Sequence, residues 1–216
     1  MKLFRLPGSA IVAVALISAS SSALQAQRFG ITAGATFSSV KTSDDLNLSN
    51  RTGSTFGITL QIPAGQTFTL QPELLFINKG AKFNSDAGNG NFKLDYVEIP
   101  LLLRYDFSRG VIGPHIYAGP SAGFSVGCTV SGTLTSGATT TRDCSSNNFK
   151  PKSLDYGITA GAGVDFNLGG IAATGGVRYG IGLADIRSDN SATFRNRVHN
   201  GVLSLYVGVL LGKPSR

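Results

Sequence analysis

From Phe29 to Leu211 the chain keeps placing a large apolar residue at every second position, with a small or polar one between. Period two is the geometry of a strand with two unlike faces. Phe29, Ile31, Ala33, Ala35 and Phe37 form the first such series, followed by Phe56–Ile62, Phe68–Phe76 and Val97–Phe107. The second half repeats it at Ile116–Val126, Ile158–Phe166, Val177–Leu183 and Leu203–Leu211. Eight strands are therefore expected, with no helix of any length after residue 26.

The connections alternate in length. Lys41–Thr52, Phe83–Phe92, Cys128–Lys152 and Ile186–His199 read as long loops. Pro63-Ala64-Gly65, Ser108-Arg109-Gly110 and Gly169-Gly170 read as tight turns. Such a rhythm fits an up-and-down antiparallel barrel with its long loops at one end. An even strand count puts both chain ends at the other, periplasmic end.

Alternation alone fits two opposite barrels. A soluble, periplasmic lipocalin-like barrel keeps its apolar face inside to hold a ligand, whereas a transmembrane barrel turns that face to lipid. Side-chain volume favours the second, because eight strands leave an interior barely wide enough to fill. Phe, Leu, Ile, Val and Tyr would overfill it; Gly, Thr and Ser would not. Charge agrees. Only 14% of residues are charged, against about a quarter in an average soluble domain, and the only two glutamates, Glu73 and Glu98, fall on the polar side of their strands. Arg104, Asp106, His115, Asp165 and Arg178 fall on the polar side too. The fold class expected is thus an all-β, eight-stranded antiparallel up-and-down transmembrane β-barrel. Buried charges persist only when paired and hydrogen-bonded, so Glu73, Glu98, Arg104, Asp106, Asp165 and Arg178 are expected to form one lumenal network. Glu73 and Arg104 would sit diagonally across a hairpin centred near residue 87.

Residues 1–26 have the layout of an export signal: Lys2 and Arg5, an apolar stretch from Ala10 to Ile17, then small residues through Ala23. Cleavage is expected after Ala23 or Ala26, leaving residues 27–216 as one barrel domain. No cysteine near the cut would accept a lipid. The formal charge of +7 then falls by the two signal residues to +5. No basic cluster with interleaved aromatics accompanies it, so nucleic acid is not an expected partner. The only cysteines, Cys128 and Cys144, enclose a Thr-, Ser- and Gly-rich stretch. In an oxidising compartment they are expected to form a disulfide.

Tyr96-Val97-Glu98-Ile99-Pro100-Leu101-Leu102-Leu103-Arg104-Tyr105 resembles the Y-x-E-I-P-L-L-x-[KR]-Y segment of PorT-like outer-membrane β-barrel proteins, a porin-family group of Bacteroidetes-type Gram-negative bacteria. Gly30–Gly34, Gln71–Phe76 with Lys79-Gly80, and Tyr117-Ala118-Gly119-Pro120 are also similar to that group. The resemblance implies an integral outer-membrane barrel, mostly without an assigned activity. One departure is the tail after Tyr206, where many such barrels end on an aromatic residue.

The charged lumenal residues suit a static plug better than a gate, and a wide pore is not expected. Acyl transfer needs a nucleophile, a base and an orienting group, yet the chain offers only His115 and His199, neither in such a setting, so a lipid-modifying enzyme ranks last. Gly161-Ala162-Gly163 and Gly175-Gly176 lack the following helix that a phosphate cradle needs. Neither metal nor cofactor is expected. The expected partners are outer-membrane lipids, the barrel-assembly machinery and an extracellular partner at the long loops, with the chain a monomer.

Overall fold

The computed structural model describes residues 27–41, 48–85, 88–134, 139–143, 154–183 and 199–213. Among the described residues nine strands are present: β1 Arg28–Lys41, β2 Leu48–Ala64, β3 Phe68–Ser85, β4 Gly88–Asp106, β5 Ile112–Leu134, β6 Thr139–Asp143, β7 Leu154–Asn167, β8 Ile171–Gly182 and β9 His199–Leu211. Eight of them make a closed wall in the order β1-β2-β3-β4-β5-β7-β8-β9, with β9 pairing back to β1. Every pairing is antiparallel. Closure leaves the wall no edge, as a spanning sheet requires. Strand β6 lies outside it and, among the described residues, pairs with the upper part of β5 alone.

The register fixes the shape of the wall. Following partners from Ile62 through Leu70, Leu103, Ala118, Ala160, Tyr179, Leu203 and Phe37 returns to β2 at Thr52, ten residues from the start. Ten residues span about 33 Å along a strand, and eight strands span about 38 Å across, so the strands tilt by roughly 40°.

The two faces separate as volume demands. Phe29, Leu101 and Leu205 point outward with 46%, 46% and 47% of their surface exposed, while Glu98 and Arg178 keep only 7% and 8%. That disposition rules out a soluble barrel with an apolar interior. Inside, threonines, glutamines and the charged residues share the space with Leu75, Leu102, Leu210 and three tyrosines. Two of the short turns rest on Gly65 and Gly169, whose φ angles of 91° and 89° suit a residue without Cβ.

The loops differ from expectation. The span Phe83–Phe92, read as a loop, continues the β3–β4 ladder as far as Ser85 opposite Gly88. Likewise β5 runs on to Leu134 and β6 folds back on it, within the span read as the Cys128–Lys152 loop, and β2 starts at Leu48. The reason is physical: a backbone ladder persists without strict apolar alternation, and Gly, Asn, Ser and Thr dominate these spans, so period two does not mark them. Cys128 sits in β5 opposite Leu94, and no described cysteine is free. Cys144, residues 1–26 and most of Ile186–His199 lie outside the described residues.

Candidate functional site: the charged lumen

Alternation aims the even residues of β4, the odd residues of β3 from Thr69 to Ile77 and the odd residues of β7 at the axis, and these positions carry most of the charges. The six expected residues do not form one network; they fall into three tiers.

The tier near the short turns is the densest. Asp165, 1% exposed, accepts a 2.7 Å hydrogen bond from Arg104 and a 3.3 Å one from Arg28, both at Oδ2. Arg104 Nε also donates to Asp106 at 2.6 Å. Asp106 in turn accepts from the Thr69 hydroxyl at 2.8 Å and from Arg109 at 3.4 Å. Arg28 reaches on to Asn167 at 3.0 Å. His115 Nδ1 lies 3.8 Å from Asp165 Oδ1 and 3.3 Å from the Gly113 carbonyl. Residues from β1, β3, β4, β5 and β7 are thereby tied across the interior.

The middle tier is built on Arg178. Its guanidinium meets Glu73 at 2.7 Å and stands 5.5 Å and 5.3 Å from the ring centroids of Tyr117 and Tyr206. A guanidinium between two aromatic faces gains from both. Glycines make room for the tyrosines: a Cβ on Gly161 would come within 2.4 Å of the Tyr117 hydroxyl, and one on Gly176 within 2.8 Å of the Tyr206 hydroxyl. Gln71 donates to Glu73 at 2.7 Å and accepts from Gln61 at 3.1 Å. Glu73 therefore binds Arg178 rather than Arg104, which the expected diagonal had paired with it. The β3–β4 ladder places Arg104 opposite Thr69, on a different level from Glu73.

In the outer tier Lys79 holds Glu98 at 2.9 Å and lies 5.0 Å from the centre of the Tyr96 ring. On the outward face of the same strands Asn78 and Asp95 are hydrogen-bonded, and Lys93 reaches Asp95 at 3.3 Å. The spaces between tiers are small. A cavity of about 30 Å³ lies among the outer residues and one of about 20 Å³ among the turn-side ones.

A closed antiparallel wall with an apolar outside and a charged, packed inside is the arrangement a lipid bilayer selects. The family model described as outer membrane protein beta-barrel domain matches residues 20–188. The chain belongs to that family.

As an outer-membrane barrel it has fold-level likenesses among solved structures. Neisserial surface protein A is 18% identical, covering 85% of this chain and 96% of that one, with a TM-score of 0.46. OprG from Pseudomonas aeruginosa is 12% identical over 87% and 97%, TM-score 0.49. Ail of Yersinia pestis is 15% identical over 85% and 98%, TM-score 0.45. No curated protein matches the chain.

The outer-membrane barrel also uses lumenal residues outside the expected six: Arg28, Lys79, Tyr96, Tyr117, Asp155 and Tyr206. Parity within each strand marks most of them. Lys79 shares its face with Glu73 and Leu75, Asp155 with Thr159 and Asp165, and Tyr117 with His115. Tyr96 and Tyr206 likewise share the parity of the polar face, with Glu98 and Ser204, but carry no charge to single them out.

Proposed function

We propose that this barrel is a non-conducting, non-enzymatic outer-membrane protein that acts through its outer loops, as a surface-interaction or structural element of the PorT-like kind. The observation that carries the reading is the middle tier. Arg178 is fixed by Glu73 between Tyr117 and Tyr206, with a cavity of about 30 Å³ on its outer side and one of about 20 Å³ among the turn-side residues. A hydrated ion does not pass a packed guanidinium–tyrosine layer. In planar bilayers the refolded protein is expected to give no sustained conductance steps, and Arg178→Ala to give small ones. Stable steps from the unaltered chain would overturn the reading.

Against catalysis stands the setting of His115, which is buried, stacked on Tyr117 with centroids 6.0 Å apart and directed at Gly113 and Asp165. A base held that way has no substrate path. The loops on a rigid wall are the natural place for an extracellular partner; lipids and the assembly machinery complete the partners, with a monomeric barrel and no nucleic acid. The export signal and the Cys128–Cys144 disulfide belong to the same reading. Intact mass of protein purified from outer membranes is expected to begin at Leu24 or Gln27. It should gain two alkyl groups with iodoacetamide only after reduction; labelling without reduction would refute the disulfide.

A further inference from the structure

The cavity at the outer end of the lumen is lined by Lys79, Glu98, Ser121, Asp155, Thr159, Arg178 and Ser204, among others. Its charges do not balance. Lys79 is held by Glu98 at 2.9 Å, and Arg178 at the floor by Glu73 at 2.7 Å. Asp155 remains. It is 8% exposed, and no protein group hydrogen-bonds its Oδ1. The fully buried Thr159 hydroxyl, which lines the same space, likewise has no hydrogen-bond partner. Lys79 also acts on Asp155 but is held by Glu98, so two buried carboxylates share one ammonium; the negative charge left over is costly, and one positive charge from outside the chain would balance it.

We propose that this vestibule binds a single monovalent inorganic cation, of the sodium or potassium kind, beside Asp155. Volume sets the upper limit: about 30 Å³ takes one ion with at most a water or two, not a sugar or a lipid headgroup. Apart from the two paired cations, the polar groups lining it are oxygens, a carboxylate and the hydroxyls of Ser121, Thr159 and Ser204, which suit a hard ion. A divalent ion wants six or more oxygens with several carboxylates, and here the second carboxylate is already taken by Lys79. The inference holds whether or not the lumen conducts.

Charge counting gives the test. Thallium(I), a potassium-sized probe, is titrated against the refolded barrel in nitrate buffer while the thallium-205 resonance is followed. The unaltered protein should give saturable broadening that potassium nitrate reverses. Asp155→Asn should weaken binding at least about tenfold, the effect of losing the carboxylate that leaves the described lining net negative. Glu98→Gln frees Lys79 to neutralise Asp155 and should weaken it as well; Lys79→Met leaves two carboxylates and should strengthen it. Heat-dependent gel mobility checks that each variant is folded. If Asp155→Asn does not fold, the opposite signs expected of Glu98→Gln and Lys79→Met decide, since both keep Asp155. Absence of saturable broadening, or equal binding by these last two, overturns the proposal.

Discussion

Asp165→Ala is expected to cost the barrel about 3–5 kcal/mol, the range for removing one partner of a buried ion pair. The loss exceeds that of an ordinary lumenal substitution because this carboxylate serves two guanidiniums at once, from Arg104 at 2.7 Å and Arg28 at 3.3 Å. Without it Arg28 keeps only Asn167, and two like charges face each other in a space that offers little water. Arg104 retains Asp106, so the damage falls chiefly on the β1–β7 link. Asp165→Asn preserves an acceptor and should cost less. In the double variant Arg104→Ala/Asp165→Ala the loss should be smaller than the two single losses added, since the second deletion removes a stranded charge. Urea titration of the barrel in vesicles measures all of these. A change for Asp165→Ala within about 0.5 kcal/mol, the scatter of an inconsequential surface substitution, would show that the tier contributes nothing to stability.

The tiers explain what was and was not legible in the sequence. Period two names the face on which a residue stands, so Glu73, Glu98, Arg104, Asp106, Asp165 and Arg178 could all be assigned to the interior from their neighbours. It does not say at what height. Height follows from the ten-residue stagger of the wall, which depends on every register around the circle together. A hairpin read by itself put Glu73 beside Arg104. The closed wall instead brings Arg178, 105 residues away in the chain, onto Glu73. The same limit applies to Arg28 and Asp165, which lie 137 residues apart in the sequence yet share one level. The extended ribbons at Ser85, Gly88 and Thr139–Asp143 escaped for another reason: above the bilayer nothing selects an apolar face, and the ladder alone leaves no compositional trace.

Leu205→Arg is expected to cost about 2–4 kcal/mol, the penalty for a guanidinium on the lipid face near the bilayer midplane. Leu205 stands midway along β9, opposite Ala35 on β1 and Val177 on β8, and points away from the lumen with 47% of its surface exposed. Exposure to water and exposure to acyl chains give opposite forecasts here. On a water-facing wall a half-exposed leucine changes to arginine for about 0.5 kcal/mol or less. In a bilayer the charged head has no partner and must draw water or headgroups inward. Leu205→Phe, which keeps the surface apolar, should be close to neutral, and an arginine nearer the turns, at Phe107, should cost less than one at Leu205 because the penalty falls from the midplane toward the interface. Equilibrium unfolding in large vesicles separates the cases. Equal stability of Leu205→Arg and Leu205→Phe would mean that this face does not meet lipid, and the division of the wall into a greasy outside and a charged inside would lose its cause.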